Sequence, residues 1–281
     1  MREDSRSIFR HLAGSIQAKH IQSALGPSIR AGLSMSDASE VLIDSAREGG
    51  YWEMSRISLV VADDDQVVSW IGFDMLTGGS DGVGSVAEPV VTGQMLSGDT
   101  PALEVVKLFA QNSNSFYFVL QEAQITGTLH YEDLFRSPFK LCLFALVLEL
   151  EAAALDLALK EPAASWSALP SGRQHKAEEV YEKKYHGSGD RENPPFDDLL
   201  SCTMYCDKAT ILRKLGIGAD CSIDINSLFS KAEGVRNSCA HTNSENDRWD
   251  KLMNRASLPD FIAQIEKITG AIRDQLRKEL P

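Results

Sequence analysis

Short apolar runs of period two alternate with helical patterns over the first half of the chain, and only helical patterns follow. Ser36-Asp37-Ala38-Ser39 opens a helix in which Val41, Leu42 and Ala46 recur at helical spacing. Residues 56–61 read as a strand, Asp63-Asp64-Asp65 as a turn and 66–71 as the returning strand. After a glycine-rich stretch at 78–84 the order recurs. A short strand at 86–91 precedes a helix capped by Thr100-Pro101 and running to Phe109. A strand at 115–120, a turn at Gln121-Glu122-Ala123, a strand at 124–129 and a helix opening over 131–135 complete the second copy. Two copies of helix–strand–turn–strand–helix, spaced by roughly 60 residues, make an internal repeat.

The second half reads differently. Residues 141–160 are rich in Leu, Ala and Glu, hold no Gly or Pro, and predict one long helix. Pro162, Pro170, Ser171 and Gly172 end it, and a polar helix follows at 173–185. Gly187-Ser188-Gly189-Asp190 and Asn193-Pro194-Pro195 form a loop. Further helices are predicted at 196–215, stopped by Gly216 and Gly218, then at 224–240 and 258–280. The change of class places a boundary at residue 140. The expected fold class is a tandem α/β pair over 1–140 followed by an all-α helical bundle over 141–281.

The chain is 281 residues long, ample for two domains, with 43% hydrophobic and 24% charged residues. Twenty-eight Lys and Arg face 40 Asp and Glu, a net charge of −12. That argues against broad capture of DNA or of an anionic membrane, since each phosphate neutralised needs its own cation. Residues 1–140 carry 10 basic and 18 acidic side chains and residues 141–281 carry 18 and 22, so a polyanion site belongs in the C-terminal half. The N-terminus, Met1-Arg2-Glu3-Asp4-Ser5-Arg6, leads into no apolar signal core. The most apolar run, 141–148, breaks at Glu149 and Glu151, short of the ~20 residues of a spanning helix. The five cysteines, odd in number and clustered late, form no disulfide framework. A cytoplasmic protein with reduced thiols is expected. Cys202 and Cys206 read as one helix face, and with Cys239 and His241 they match no common zinc spacing, so no metal site is expected.

The second copy contains Thr100-Pro101 followed by Ile125-Thr126-Gly127-Thr128-Leu129-His130-Tyr131-Glu132-Asp133-Leu134. With these residues the repeat resembles a tandem pair of cystathionine-β-synthase (CBS) domains, a module that often binds adenine nucleotides. The resemblance implies that Gly127 closes the last strand and that Asp133 meets the ribose hydroxyls. His130 stands where the family usually carries a hydroxyl residue near phosphate. The first copy, Ser69-Trp70-Ile71-Gly72-Phe73-Asp74-Met75-Leu76, has Ser69 for the glycine and Met75 for the aspartate. One nucleotide site is therefore expected, in the second copy, with an adenine nucleotide as regulator; the other reading is a packing and dimerisation module. The glycine-rich stretch at 78–84 lacks a following Lys-Ser/Thr pair and reads as the linker between copies.

The sharpest chemical motif is Val235-Arg236-Asn237-Ser238-Cys239-Ala240-His241. Arg and His five positions apart lie on neighbouring parts of one helical face near a C-terminus, where the field favours a protonated imidazole. A fixed guanidinium and a titratable imidazole suit metal-free RNA cleavage: one moves the proton, the other offsets charge on the phosphate oxygens. Alone, Arg-x4-His is also what an exposed Arg beside a capping His would give. Together with a helical domain of this length it resembles a HEPN domain, whose signature is Arg-x(4–6)-His, often with a polar residue after the Arg. The resemblance implies Arg236 and His241 as the catalytic pair, Asn237 as the adjacent polar residue, and Glu149 of the leading helix as an assisting acid. It further implies a homodimer and a regulated, metal-independent endoribonuclease of stress-response or anti-phage (toxin–antitoxin) type. Such an enzyme leaves a 2′,3′-cyclic phosphate, needs no cofactor, leaves DNA uncut and takes RNA, with an antitoxin protein as a further partner. The alternative is a non-catalytic nucleotide-sensing or interaction protein, or the partner of a nucleotidyltransferase antitoxin. Lys183-Lys184 with Arg173, Lys176 and Arg191 reads as a solvated helix or a small RNA-contact patch. Trp166, Trp249 and Tyr185 read as packing or as base-stacking residues.

Overall fold

The computed structural model describes residues 3–48, 57–61, 67–77, 82–185, 194–219, 222–240, 252 and 254–278. The chain divides into two units, Gln17–Pro138 and a second made of Met1–Ile16 with Phe139–Pro281. Helix α1 (Glu3–Ser15) therefore belongs with the helical C-terminal half, whereas the sequence pattern groups it with the repeat.

In the repeat unit, a short helix α2 (Ala18–Ile21) leads into the first copy. That copy comprises β1 (Ile29–Arg30), α3 (Met35–Glu48), β2 (Ile57–Val61), β3 (Val67–Gly72) and a 3-10 turn at Phe73–Thr77. After β4 (Glu88–Pro89) the order returns as β5 (Met95–Ser97), α4 (Ala102–Gln111), β6 (Phe116–Gln121), β7 (Gln124–His130) and a 3-10 turn at Tyr131–Phe135. Each copy has a parallel first pair and an antiparallel second pair. The lead-in to each copy completes the sheet of the other. β4 pairs with the outer edge of β3, and Ser23 bridges Thr128 on the outer edge of β7. All five residues of β2 are buried, because both faces are covered. Val60 joins Ile29, Ala38, Leu42 and Ile71 on the α3 side. Ile57 and Leu59 join Trp70, Phe116 and Phe118 on the other, where Trp70 meets Phe116 edge-on at 4.9 Å. The β6–β7 hairpin turns through Glu122 and Ala123, both at positive φ (49° and 64°) as a two-residue turn of this hand demands.

The helical unit is built on α5 (Ser137–Ala158), twenty-two residues whose buried side chains lie around the helix rather than along one stripe. Helices α6 (Pro162–Ser167), α7 (Ser171–Tyr185) and α8 (Phe196–Ser201) enclose Trp166, Leu169, Tyr181, Leu199 and Leu200. Helices α9 (Tyr205–Lys214), α10 (Ile225–Ala240) and α11 (Ser257–Lys278) follow. Asp224 accepts from the backbone of Asn226 and Ser227 and so caps α10. Cys142 on α5 donates its thiol to the Ala13 carbonyl, which ties α1 to this unit. Among the described residues no helix is long and apolar enough to cross a membrane.

Three expectations change. The helix expected over 196–215 is two, α8 and α9, because Asp207 accepts from the Met204 N–H and starts a new helix there. Cys202 and Cys206 consequently share no helix face: Cys202 is buried beyond the end of α8, and Cys206 is exposed on α9. Pro162, expected to end a helix, instead begins α6 at a position that suits its fixed φ.

Candidate functional site

In the helical unit, α10 presents Arg236 and Asn237 to solvent, with Val235 buried beside them. The Arg236 guanidinium carbon stands 5.4 Å from the centre of the Tyr205 ring. Among the described residues Arg236 forms no ion pair, so its N–H fork is unclaimed on a fixed helix. Tyr205 is fully buried and donates its hydroxyl to the Val147 carbonyl at 3.1 Å. Burial, with the nearby Glu151 carboxylate, pushes that phenol well above its ordinary value, while Arg236 opposes the shift. Glu151 also lies 3.3 Å from the Lys208 ammonium, which donates to the Thr203 carbonyl at 2.8 Å. Lys208 is only 4% exposed. Desolvation lowers its pKa, Glu151 and Asp207 pull it back, and Arg236 adds a like-charge push downward.

His241 lies outside the described residues, as do Cys221, His186, Arg191 and Trp249. Glu149 is buried and forms an ion pair with Arg273 of α11. Two residues along a helix turn the side chain by about 200°, so Glu149 and Glu151 point to nearly opposite sides of α5. The acid on the Arg236 side is Glu151. The structure therefore groups Arg236 with Tyr205, Glu151 and Lys208, and directs Glu149 elsewhere. None of these three partners stood out in the sequence. A buried lysine looks like any surface lysine, and choosing between Glu149 and Glu151 needs the helix phase.

Cys239 donates to the Lys140 carbonyl at 3.4 Å, and burial pushes its thiol up to about 11. Arg173 grips Asp207 with two bonds, of 2.6 and 2.9 Å. Trp166 is buried beside Phe196, and Tyr185 packs at a tilt against Tyr181 with Lys184 over its ring. No cluster of potential metal ligands exists among the described residues.

In the repeat unit, Gly127, His130 and Asp133 do come together, around the chain's own backbone. Asp133 is buried. One carboxylate oxygen accepts from the Ser23 hydroxyl at 2.8 Å and pairs with Arg136 at 3.1 Å. The other accepts from the His130 N–H at 2.8 Å and caps the 3-10 turn. The His130 ring stacks on Phe116. A Cβ on Gly127 would stand 2.5 Å from the Ser23 carbonyl oxygen, so only glycine lets that strand approach. In the first copy Met75 takes the place of Asp133 in the turn: its sulfur accepts from the Gly72 N–H at 3.1 Å.

No protein-family model matches this chain, and no curated protein is recognisably similar to it. Among solved structures, an uncharacterized conserved protein of Pyrococcus horikoshii is 16% identical, covering 43% of this chain and 91% of its own, with a TM-score of 0.35. The CBS-pair protein CBSX2 of Arabidopsis thaliana is 14% identical over 45% of this chain and 96% of its own, at a TM-score of 0.33. The CBS domain of a bacterial CNNM/CorC family Mg2+ transporter, solved with ATP, is 15% identical over 48% and 95%, also at 0.33.

Proposed function

We propose that the helical unit is a metal-independent endoribonuclease of HEPN type and that the repeat unit is its CBS-type nucleotide sensor. The observation that carries the first half is Arg236: exposed, on a rigid helix, held over the Tyr205 ring and claimed by no carboxylate among the described residues. A guanidinium in that state has its planar fork free for phosphate oxygens. His241, five residues further along the sequence, takes the proton from the RNA 2′-hydroxyl. The 2′-oxygen then attacks phosphorus, the bond to the 5′-oxygen breaks, and the departing oxygen receives a proton from the imidazolium of a second motif. Arg236 offsets the charge on the equatorial oxygens. Two motifs facing across a homodimer supply both imidazoles, Asn237 orients the phosphate, and Glu151 with Lys208 fixes the ground beneath Arg236.

The test is cleavage of RNA in EDTA with analysis of product ends. A 2′,3′-cyclic phosphate, uncut DNA, and losses of roughly 10²–10⁴ for His241→Ala are expected. Magnesium dependence with 5′-phosphate ends, or a strict monomer in scattering, contradicts the reading.

A second reading of the repeat unit is favoured by Asp133 itself. Its carboxylate already holds three donors, as a purely structural residue would. Calorimetry with AMP, ATP and S-adenosylmethionine decides: binding that Asp133→Ala abolishes supports the sensor, and no binding leaves a packing and dimerisation module.

A further inference from the structure

The chain passes between its two units twice, after Ile16 and after Pro138. On the repeat side, both passages are tied to one carboxylate. Ser23, shortly beyond the first passage, donates its hydroxyl to Asp133 at 2.8 Å. Arg136, just before the second, pairs with the same Asp133 oxygen at 3.1 Å. Arg136 also donates to the Ser23 hydroxyl at 2.9 Å and to the Gln22 carbonyl at 3.2 Å. The three side chains close a triangle, so neither passage can leave without unpairing the other. Ser23 exchanges two backbone bonds with Thr128, at 2.7 and 3.0 Å, and glycine at 127 is what admits it.

We infer that Asp133, Ser23 and Arg136 form a latch that ties the two ends of the repeat unit to each other, so that a ligand whose hydroxyls claim Asp133 releases both ends at once. Asp133 is buried while Ser23 and Arg136 are half-buried, and charge-assisted bonds carry more weight where water is partly excluded. Displacing Ser23 costs its hydroxyl bond and weakens the Arg136 pair in one step. The stretches between latch and helices are short. On one side α1 ends at Ser15 with Ala13 held by Cys142. On the other, α5 begins at Ser137, directly after Arg136. The first copy has no such charge, since Met75 stands in the place of Asp133. The ligand arm of this inference rests on the sensor reading above; the latch itself does not.

Hydrogen exchange on the full chain tests it at three amides, Ser23, Thr128 and Arg136, each bonded in the closed state. Asp133→Asn should accelerate all three in parallel, by roughly ten- to a hundred-fold, the range expected for losing a hydrogen bond to a charged group. Acceleration at Arg136 with Thr128 unchanged overturns the latch. Should Asp133→Asn fail to fold, Ser23→Ala carries the test: it must speed exchange at Arg136, whose amide it never touches, and no change there is equally fatal. AMP is the ligand probe. If calorimetry shows AMP bound, parallel acceleration at Ser23, Thr128 and Arg136 supports release, and unchanged exchange at Thr128 overturns it. If calorimetry shows no binding, the sensor reading falls and the variants alone decide the latch.

Discussion

Asp133 sits in the repeat unit with both carboxylate oxygens engaged, whereas Arg236 stands on α10 of the helical unit with its guanidinium open to solvent. A buried charge surrounded by donors holds structure, since removing it leaves those donors unpaired in a poorly hydrated place. An exposed charge on a rigid element, with no counter-ion among the described residues, contributes little to stability and is ready for an external anion. The same residue classes that point to function in sequence thus divide by environment: one is committed to its own chain and the other is not.

The largest expected effect tests that division directly. Arg236→Ala should lower RNA cleavage by about 10²–10³, through unsatisfied charge in the transition state. It should cost only about 0.5–1 kcal/mol of stability, the worth of its contact with the Tyr205 ring. Asp133→Ala should do the reverse, losing about 2–3 kcal/mol in urea unfolding by orphaning its donors. A destabilisation by Arg236→Ala as large as that of Asp133→Ala would break the comparison. Combined with His241→Ala, the Arg236 loss in cleavage should not add, because both groups serve one step.

Next in size is the pair beneath Arg236. Glu151→Leu leaves the Lys208 ammonium buried without its carboxylate. The loss should be about 2–3 kcal/mol, below the span for fully buried pairs because Glu151 keeps some water and Lys208 can shed its proton. The double replacement Glu151→Leu with Lys208→Met should recover most of that stability, as apolar substitutes for buried ion pairs do. If the double variant also loses cleavage while Arg236 is intact, the pair positions the guanidinium rather than merely filling space. Denaturation and cleavage measured on the same three proteins separate the two effects.

A third effect is read in alkali. Burial raises the Cys142 thiol from its ordinary 9.0 to about 12. Below pH 9 both folded and unfolded forms keep the proton and the contribution is fully present. As pH rises from 9 towards 12 the unfolded thiol ionises while the folded one does not, so stability falls by about 1.4 kcal/mol per pH unit. Tyr205, also raised, adds to the fall; Lys208, lowered, opposes it. Unfolding of Cys142→Ala followed from pH 8 to 11 should show a visibly flatter slope, and an unchanged slope would refute the assignment.

The hairpins β2–β3 and β6–β7 and the long α5 were legible because each carries a full period of its pattern. Strands of two or three residues, such as Ile29–Arg30 and Met95–Ser97, hold no period and are defined only by the partner they meet. Helix α1 was illegible for another reason: the described bond that ties it to its unit comes from Cys142 on α5, far along the chain. At the candidate sites, sequence identified the charged groups but not their surroundings. Tyr205 beneath Arg236 and Ser23 beside Asp133 are separated from them by about 30 and 110 positions, and only folding reveals the pairs.

The smallest effect compares the two copies of the repeat. In the second copy a carboxylate caps the final turn; in the first, the Met75 sulfur accepts from the Gly72 N–H at 3.1 Å. A thioether is a weak acceptor, and leucine nearly matches methionine in volume. Met75→Leu should therefore cost less than about 1 kcal/mol, against the larger loss on removing Asp133. Met75→Asp is the sharper variant. It places a carboxylate beside Leu76 and the other apolar side chains against which the half-buried Met75 packs. The new acid caps the Gly72 N–H better than sulfur does, yet its second oxygen is partly desolvated against apolar side chains. The second cost exceeds the first, since an unmatched buried acceptor forfeits about 1–3 kcal/mol while a neutral-to-charged gain at one cap is near 1 kcal/mol. Thermal unfolding should rank native above Met75→Leu and Met75→Leu above Met75→Asp. A Met75→Asp protein as stable as native would mean that the first copy holds donors for a carboxylate after all, and that the two copies differ only by substitution and not by design of their surroundings.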